Sequence, residues 1–511
     1  MPERVYWGDM HLNLHHRDVS RIDAVFAAAR EHLDFFPIAY YPYDYRELPQ
    51  GLKSESIGLS QQALRDWEIV RAAVQRHNEP GRFITFPGYE WHGNRRSGGD
   101  HNVFYPEDGP LVLPDTLPEL YEHCRAARAL AIPHHTAYRG GPGGRGKDWA
   151  MHDEDLSPVA EIYSHHGCSE AVDAPLPMIR NKSMGPRVTG GTIQDGLARG
   201  CRIGIIASGD THTGYPGVWS NGLAAVWAPE LTREALWEAL LQRRAYGVTG
   251  DRMLVDFRLD DAPMGSVIRG RGEVRISASV VGDAAIDRIE LLRNARVIAS
   301  YCHAGRWDAD PEAARLRAKL RITAGWGPGH EYGLTPAERR WHGRLRIEGG
   351  EIPTAGGRFT RFGQRLRRVS ESEWEWDLTT SDRRSPDENV QGIVFELTGA
   401  ADSRLSVAVD GESISLTLRD ALSGSRVLPL LDEARIALED QFGLTPSDIP
   451  SPDALYHNAP KVKIHRAVPE SGYRVQTTLS DDPPPGRSHY YLRVSQTNGQ
   501  MAWTSPIWVE R

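Results

Sequence analysis

Asp210, Thr211 and His212 close a stretch, CRIGIIASGDTHTGYPG over residues 201–217, that reads as a buried strand handing over to a loop. Ile203, Ile205 and Ile206 supply β-branched bulk, and Gly200 punctuates the helix expected before them. A carboxylate and a neutral imidazole two residues apart are a natural ligand pair for a borderline divalent metal. At the carboxyl end of a parallel strand they stand where α/β barrels build their active sites. Asp-x-His is a common combination, so its weight depends on whether other strands end in the same kind of residue.

They do. A strand over residues 5–12 carries His11, with Asp9 and Asn13 beside it; a strand over 83–87 is followed by Glu90. A strand over 130–133 runs into His134-His135, and one over 159–163 into Ser164-His165-His166-Gly167. Thus His11, Glu90, His134, His166, Asp210 and His212 all fall at or just beyond a predicted strand end. A carboxylate among several imidazoles is a transition-metal environment and not a calcium one. Glu90, between Tyr89 and Trp91, is expected to be partly buried and so to need a compensating cation. His134 is read as a ligand and His135 as a neighbour in the next shell, open to substrate. Of the adjacent pair, His166 is preferred to His165. Asp9 reads equally as a ligand or as a structural acceptor, and His101, in GGDHNVFY, as a turn residue or a substrate contact.

Two basic features could orient an anion. Residues 139–147, RGGPGGRGK, satisfy Gly-x-x-x-x-Gly-Lys, but Asp148 stands where a P-loop needs Ser or Thr, and no strand feeds the loop directly. Nucleotide binding is rejected there; the loop is either solvated or a basic lid, with Arg139 its candidate contact. Arg252, in TGDRM, either clamps an anion or pairs with Asp251.

The elements that must position these residues alternate. Ser20 is expected to cap a helix carrying Ile22, Val25, Phe26, Ala29 and Leu33, with Asp23 at the capping-box distance. Ser60 opens a second helix with Leu64, Trp67, Val70 and Val74 on one face. Strands over 35–39 and 222–227, and helices over 120–129, 192–199 and 232–243, continue the pattern. Repeated helix-then-strand argues for parallel β/α architecture. Beyond residue 254 short alternating strands take over, ending in a hairpin at Asn498-Gly499. The expected division is 1–254 for the metal-binding part and 255–511 for a β-sandwich-like region with a long insertion at about 305–481.

Composition bounds the function. The 511 residues exceed one ordinary core. A net charge of −8 lacks the basic excess of a nucleic-acid surface. Four scattered cysteines, with no Cys-x-x-Cys, fit a reducing compartment and no thiolate zinc cluster. No run is long enough to span a bilayer, and the chain is expected to be cytoplasmic, without membrane partners.

Taken with the order of these blocks, the N-terminal half resembles the PHP (polymerase and histidinol phosphatase) superfamily, and within it the branch of domains of unknown function. The resemblance rests on WGDMHLN, FITFPGYEW, GGDHNVFY, IPHHTAY, EIYSHHGCSE, ASGDTHTGYPG, PELTREALWEALLQRRAYGVTGDRM and the closing MAWTSPIWV. It covers roughly residues 4–300 and the last strands. It implies a distorted (β/α)7 barrel, followed here by the all-β region, with up to three metals at the strand ends. By position His11 and Asp210 resemble ligands of a first metal, Glu90 the bridging carboxylate, His134 and His166 the imidazoles of a second, and His212 a ligand of a third. Two positions depart from the pattern. His11-x-Asn13 replaces His-x-His, leaving Asn13 a weak oxygen ligand, and Pro42-Tyr43 stands where Asp-His is usual, with Asp44 or His15 the nearest replacements. One or two ions of manganese, iron or zinc are therefore expected.

The function expected is metal-dependent hydrolysis of a phosphoester in a small, anionic substrate by a metal-activated water, with Glu90, Asp210 and His212 as catalytic groups. Hydrolysis of an amide, ester or glycoside, a lyase reaction, or a catalytically degenerate metal-binding module are the alternatives.

Overall fold

A computed structural model describes residues 3–47, 49, 53–55, 58–96, 98–178, 184–270, 272–309, 313–328, 334, 338–381, 390–449 and 451–511. The chain forms two compact units. One comprises Met1–Gly282, Ile286–His303 and Val475–Arg511; the other comprises Asp283–Ala285 and Ala304–Arg474. Among the described residues no helix is long and apolar enough to cross a membrane.

The first unit is mixed α/β. Its helices follow the expected periodicity with shifted ends. Ile22–Arg30 buries Ile22, Val25, Phe26 and Ala29, but Ser20 does not cap it: a 3-10 turn, His16–Arg21, occupies the approach and Arg21 takes the cap position. Ser60 does cap Gln61–His77, its hydroxyl accepting from the Ala63 amide at 3.0 Å, which is worth about 1 kcal/mol. Trp67, Val70 and Val74 of that helix are buried, whereas Leu64 stays exposed. Ile193–Arg199 starts from a reciprocal capping box between Thr192 and Asp195 and ends at Gly200, whose φ of 101° is the left-handed conformation that glycine tolerates.

The strands lie in open sheets. One has the order Asn13–Leu14, Ala39–Tyr40, Gly88–Trp91, His101–Phe104, Leu130–Pro133. The first three run parallel and the last two antiparallel to their neighbours. A second sheet pairs Gly204–Ala207 parallel to Val159–Ser164, with Gly167–Cys168 on the other edge. A nine-stranded sheet begins Arg4–Gly8, Leu223–Ala228, Ala245–Val248 and continues into Met501–Thr504 and Arg487–Gln496. Single parallel bridges link these sheets: Gly8 to Phe35, Phe35 to Ile84, and Leu12 to Thr211. Residues 35–39 and 83–87, expected as full strands, contribute little more than those bridges, and the strand after 83–87 is Gly88–Trp91 instead. The apolar core beneath joins Phe35, Ile84, Phe104, Ile132, Val159, Ile206, Val226 and Leu236.

The hairpin at Asn498-Gly499 is present, pairing Arg493, Val494 and Ser495 with Trp503, Ala502 and Met501. The second unit is not all β. Its antiparallel sheet is built on two 20-residue strands, Arg339–Arg358 and Val390–Val409, but it also carries the helices Leu418–Ser423 and Leu431–Phe442. The first of these follows a strand directly, because Thr417 and Asp420 form a capping box where alternation alone would continue the strand.

Candidate metal centre

Backbone pairing, more than side-chain length, gathers the centre. The Leu12–Thr211 bridge is flanked by Asn13 N to Thr211 O at 3.0 Å and Thr211 N to His11 O at 3.4 Å, which sets His11 beside Asp210. Asp9 secures the same junction. Its carboxylate accepts from the amides of His11, Gly209 and Gly217 at 3.0, 2.8 and 2.8 Å. A Cβ at Gly209 would sit 2.7 Å from Asp9 Oδ2, so that close approach needs glycine. Of the two readings for Asp9, the structure gives the structural acceptor. On the other side, Trp91 pairs with His101 and His101 with Pro133, which brings Glu90, Asp100 and His134 to one edge. Glu90 thus lies inside a strand and not beyond one.

Four overlapping groups of buried donors result, the ligand atoms of each lying within 4.8 Å of one another: His11, Glu90 and His134; Asp100, His134 and His135; His135, His166 and Asp210; His11, Glu161 and Asp210. His134 is joined to His11 and Glu90, and His166 to Asp210 and His135; no group among the described residues joins His134 to His166. The contacts include His166 Nε2 to Asp210 Oδ2 at 3.0 Å, His11 Nε2 to Asp210 Oδ1 at 3.4 Å and to Glu90 Oε2 at 3.6 Å, and His134 Nε2 to Glu90 Oε1 at 3.8 Å. Two turns that carry donors hold non-glycine residues at positive φ, His135 at 32° and Asp210 at 49°. Such strain persists where surrounding structure enforces it, and it collects at functional sites.

The donor set fits a divalent transition metal. Both ring nitrogens of His134, Nε2 of His11, Nδ1 of His135 and Oε2 of Glu90 are buried and make no hydrogen bond among the described residues. Leaving a buried polar atom unpaired costs about 1–3 kcal/mol. Nε2 of His11, Oε2 of Glu90 and Nε2 of His134, on the side of Glu90, are accounted for by a cation with nitrogen and oxygen ligands; the two nitrogens of His134 point apart, so only one of them can meet that cation. The charges agree. Burial opposes charge on Asp210, but the His11 and His166 rings hold it well below the usual carboxylate range; Glu90 is likewise held down against burial by His11. Burial pulls His11 and His166 down, yet Asp210, with Glu161 at His11, raises both. Burial and neighbouring imidazoles keep His134 and His135 neutral.

Other expected residues lie elsewhere. His101 is fully buried, with Nδ1 3.0 Å from Gly99 O and Nε2 3.0 Å from Lys147 Nζ, so neither nitrogen is open to a substrate. Arg252 lies over the Trp7 ring and donates to His32 O. Arg139 is exposed, its guanidinium 3.3 Å from Pro142 O. His165 N donates to Gly209 O, and Asp44 is exposed and accepts from the Ser60 hydroxyl. Asn13 Nδ2 reaches His212 Nε2 at 3.1 Å and Asp210 Oδ1 at 3.4 Å. His212 belongs to none of the four donor groups, which are made of His, Asp and Glu alone.

Three residues escaped the sequence reading. Asp100, one residue before a strand, takes Arg95 NH1 on both oxygens and Arg145 NH1 at 3.2 Å, and faces His135 Nε2 at 3.7 Å. Tyr138 places its hydroxyl 2.8 Å from His166 Nδ1. Glu161 sits within Val159–Ser164, where every residue is buried; an acid inside an apolar strand was the available signal. The last strands meet the loop after Val159–Ser164 through Glu170, which is fully buried and accepts from Tyr491 OH, Trp503 Nε1 and Arg493 NH1 at 2.8, 2.9 and 3.1 Å.

Residues 210–259 match a family model described as a protein of unknown function (DUF3604). An uncharacterized protein of Chlamydia pneumoniae is 29% identical over 258 residues, covering 46% of this chain and 40% of that protein. Uncharacterized proteins of Chlamydia muridarum and Chlamydia trachomatis serovar D are each 28% identical over 323 residues, covering 58% of this chain and 48% of theirs. The chain therefore spans less than half the length of these relatives. Among solved structures, a two-domain protein containing a predicted PHP-like metal-dependent phosphoesterase, from Bacteroides vulgatus, aligns over 81% of this chain and 96% of its own at 14% identity, with a TM-score of 0.33.

Proposed function

We propose that this chain is a metal-dependent hydrolase acting on a phosphoester of a small anionic substrate. One observation carries the reading: eight buried His, Asp and Glu side chains converge in overlapping donor groups, with seven of their polar atoms making no hydrogen bond among the described residues. Two ions of manganese, iron or zinc suit the arrangement. His11, Glu90 and His134 would hold one, and His135, His166 and Asp210 the other. The sheet edges joined by the Gly8–Phe35, Phe35–Ile84 and Leu12–Thr211 bridges are then the mouth of a distorted barrel of the PHP type.

When bound, such ions polarise a phosphoryl oxygen and lower the pKa of a water. The protein's own residues do the rest. Asp9 fixes the His11 and Asp210 loops against each other. His212, at the solvent edge with its side chain 46% exposed, is placed to give a proton to the leaving group. Arg145, on Asp100 beside His135, offers positive charge to the substrate's anionic end.

Elemental analysis of purified protein, with a panel of phosphomonoesters, phosphodiesters and carboxylic esters, tests this. The expected result is one to two equivalents of transition metal and metal-dependent release of phosphate. Metal with turnover only of carboxylic esters would overturn the phosphoester assignment, and metal with no turnover would indicate a degenerate module. Failure to bind any transition metal would remove the proposal altogether.

A further inference from the structure

We infer that Glu161 is a positioning residue and not a ligand: it holds the Nδ1–H of His11, so that only Nε2 of that ring faces the ion. This rests on the metal-binding reading above and goes on to decide which of the overlapping donor groups is a coordination sphere.

Glu161 is 2% exposed and lies mid-strand, paired in register with Ile206 of the neighbouring parallel strand. Its Oε2 stands 2.9 Å from Nδ1 of His11. Two lone pairs do not approach to that distance, so a proton lies between them; once Nε2 is given to an ion, the ring's own proton is on Nδ1 and Glu161 accepts it. Nε2 is the nitrogen that would meet the ion, and its surroundings differ: Asp210 Oδ1 at 3.4 Å, Glu90 Oε2 at 3.6 Å, the His134 ring centroid 4.2 Å from its own, and no hydrogen bond. The two nitrogens look out from opposite edges of the imidazole. An ion about 2.0–2.1 Å beyond Nε2 is therefore on the far side of the ring from Glu161 Oε2, out of its reach. His11, Glu161 and Asp210 cannot share one ion through Nε2, although their donor atoms lie close. A carboxylate on the remote N–H of a ligating histidine fixes its tautomer and orientation and makes the free nitrogen a better donor.

The test compares wild type with Glu161→Gln, first stripped and then reloaded with zinc or cobalt(II) alone. E161Q keeps the wild-type number of metal equivalents and the wild-type cobalt absorption bands, with affinity lower by about 10–100-fold. Loss of one equivalent with altered bands would make Glu161 a ligand, and unchanged affinity would deny it any positioning role; either overturns the inference. Nitrogen-15 NMR of histidine-labelled, zinc-loaded wild type avoids dependence on the variant's folding. A proton on Nδ1 of His11 is expected, and one on Nε2 would refute the assignment. If wild type takes up no metal, the proposed function falls and this inference with it. If wild type loads normally and only the Glu161 results depart, the function stands and the inference alone fails.

Discussion

Nζ of Lys147 stands 3.0 Å from Nε2 of His101, with the Tyr121 hydroxyl 3.1 Å away on another side. Burial lowers this ammonium from its ordinary 10.5 to about 7. Between those values the unfolded chain binds a proton that the folded chain does not, so stability rises with pH there and is lost again as pH falls toward 7. One proton corresponds to about 1.4 kcal/mol per pH unit at most. Lys147→Met removes this contribution. In denaturant titrations at about pH 7.5, 8.5 and 9.5, all inside that window, the advantage of the variant over wild type should shrink at each step. A gap independent of pH would show that Lys147 is charged in the folded protein.

Tyr138 does for His166 what a carboxylate does for His11, with a weaker acceptor. Its hydroxyl is 2.8 Å from Nδ1, while Nε2 faces Asp210 at 3.0 Å. Tyr138→Phe keeps the ring and removes the contact. Calorimetric metal titration should show unchanged stoichiometry with affinity down by roughly 10-fold, the low end of such effects. Equal affinities in variant and wild type would mean that packing alone orients His166.

Metal binding should release protons. Burial acts to neutralise His11 and His166, but the charge of Asp210, joined at His11 by Glu161, raises both, so the metal-free centre stores protons that ligation must displace. Affinity then falls as pH falls through this raised range, because protons and metal compete for the same nitrogens. Titrations in buffers of different ionisation enthalpy should give heats that differ in proportion to the protons released. Identical heats would show that both rings are already neutral before metal binds.

The legible part of this centre was the part written at chain reversals. Asp210 after Gly204–Ala207 and His134 after Leu130–Pro133 stand where hydrophobic runs stop, and periodicity marks such points. Ser60 and the Asn498-Gly499 turn were legible for the same local reason. Glu161 was not, because an acid in mid-strand shows its purpose only when His11, 150 residues away in sequence, is set against it. Glu90 was read correctly in burial and wrongly in place, since residues 83–87 look like a strand yet make only isolated bridges at Phe83 and Ile84. Arg252 has the right charge for an anion, but Trp7 and His32 O already hold it.

His212 differs from the other imidazoles in company and exposure. Its Nδ1 lies 3.2 Å from the Asp210 carbonyl and its Nε2 3.1 Å from Asn13 Nδ2, and the nearby His15 ring is 5.5 Å away. Burial, with His212 and Arg17 acting in the same direction, lowers His15 to about 4, so His15 brings no charge of its own at neutral pH. Of the residues that could complete a third ion site around His212, Tyr43 and Asp44 are committed elsewhere, which leaves His15. Tyr43 stacks on His92 with ring centroids 3.5 Å apart and accepts from its amide, and Asp44 is held by Ser60. Two imidazoles and an amide, with no carboxylate of their own, are too small a ligand set for tight binding. His212→Ala should therefore leave the metal content at the wild-type value while lowering the hydrolytic rate by about 10²–10⁴-fold, the usual contribution of a general acid. Metal analysis and steady-state rates on the same preparation decide it. A variant that loses one equivalent of metal would place a third ion at His212, and a variant with full activity would leave the leaving group to be protonated by solvent.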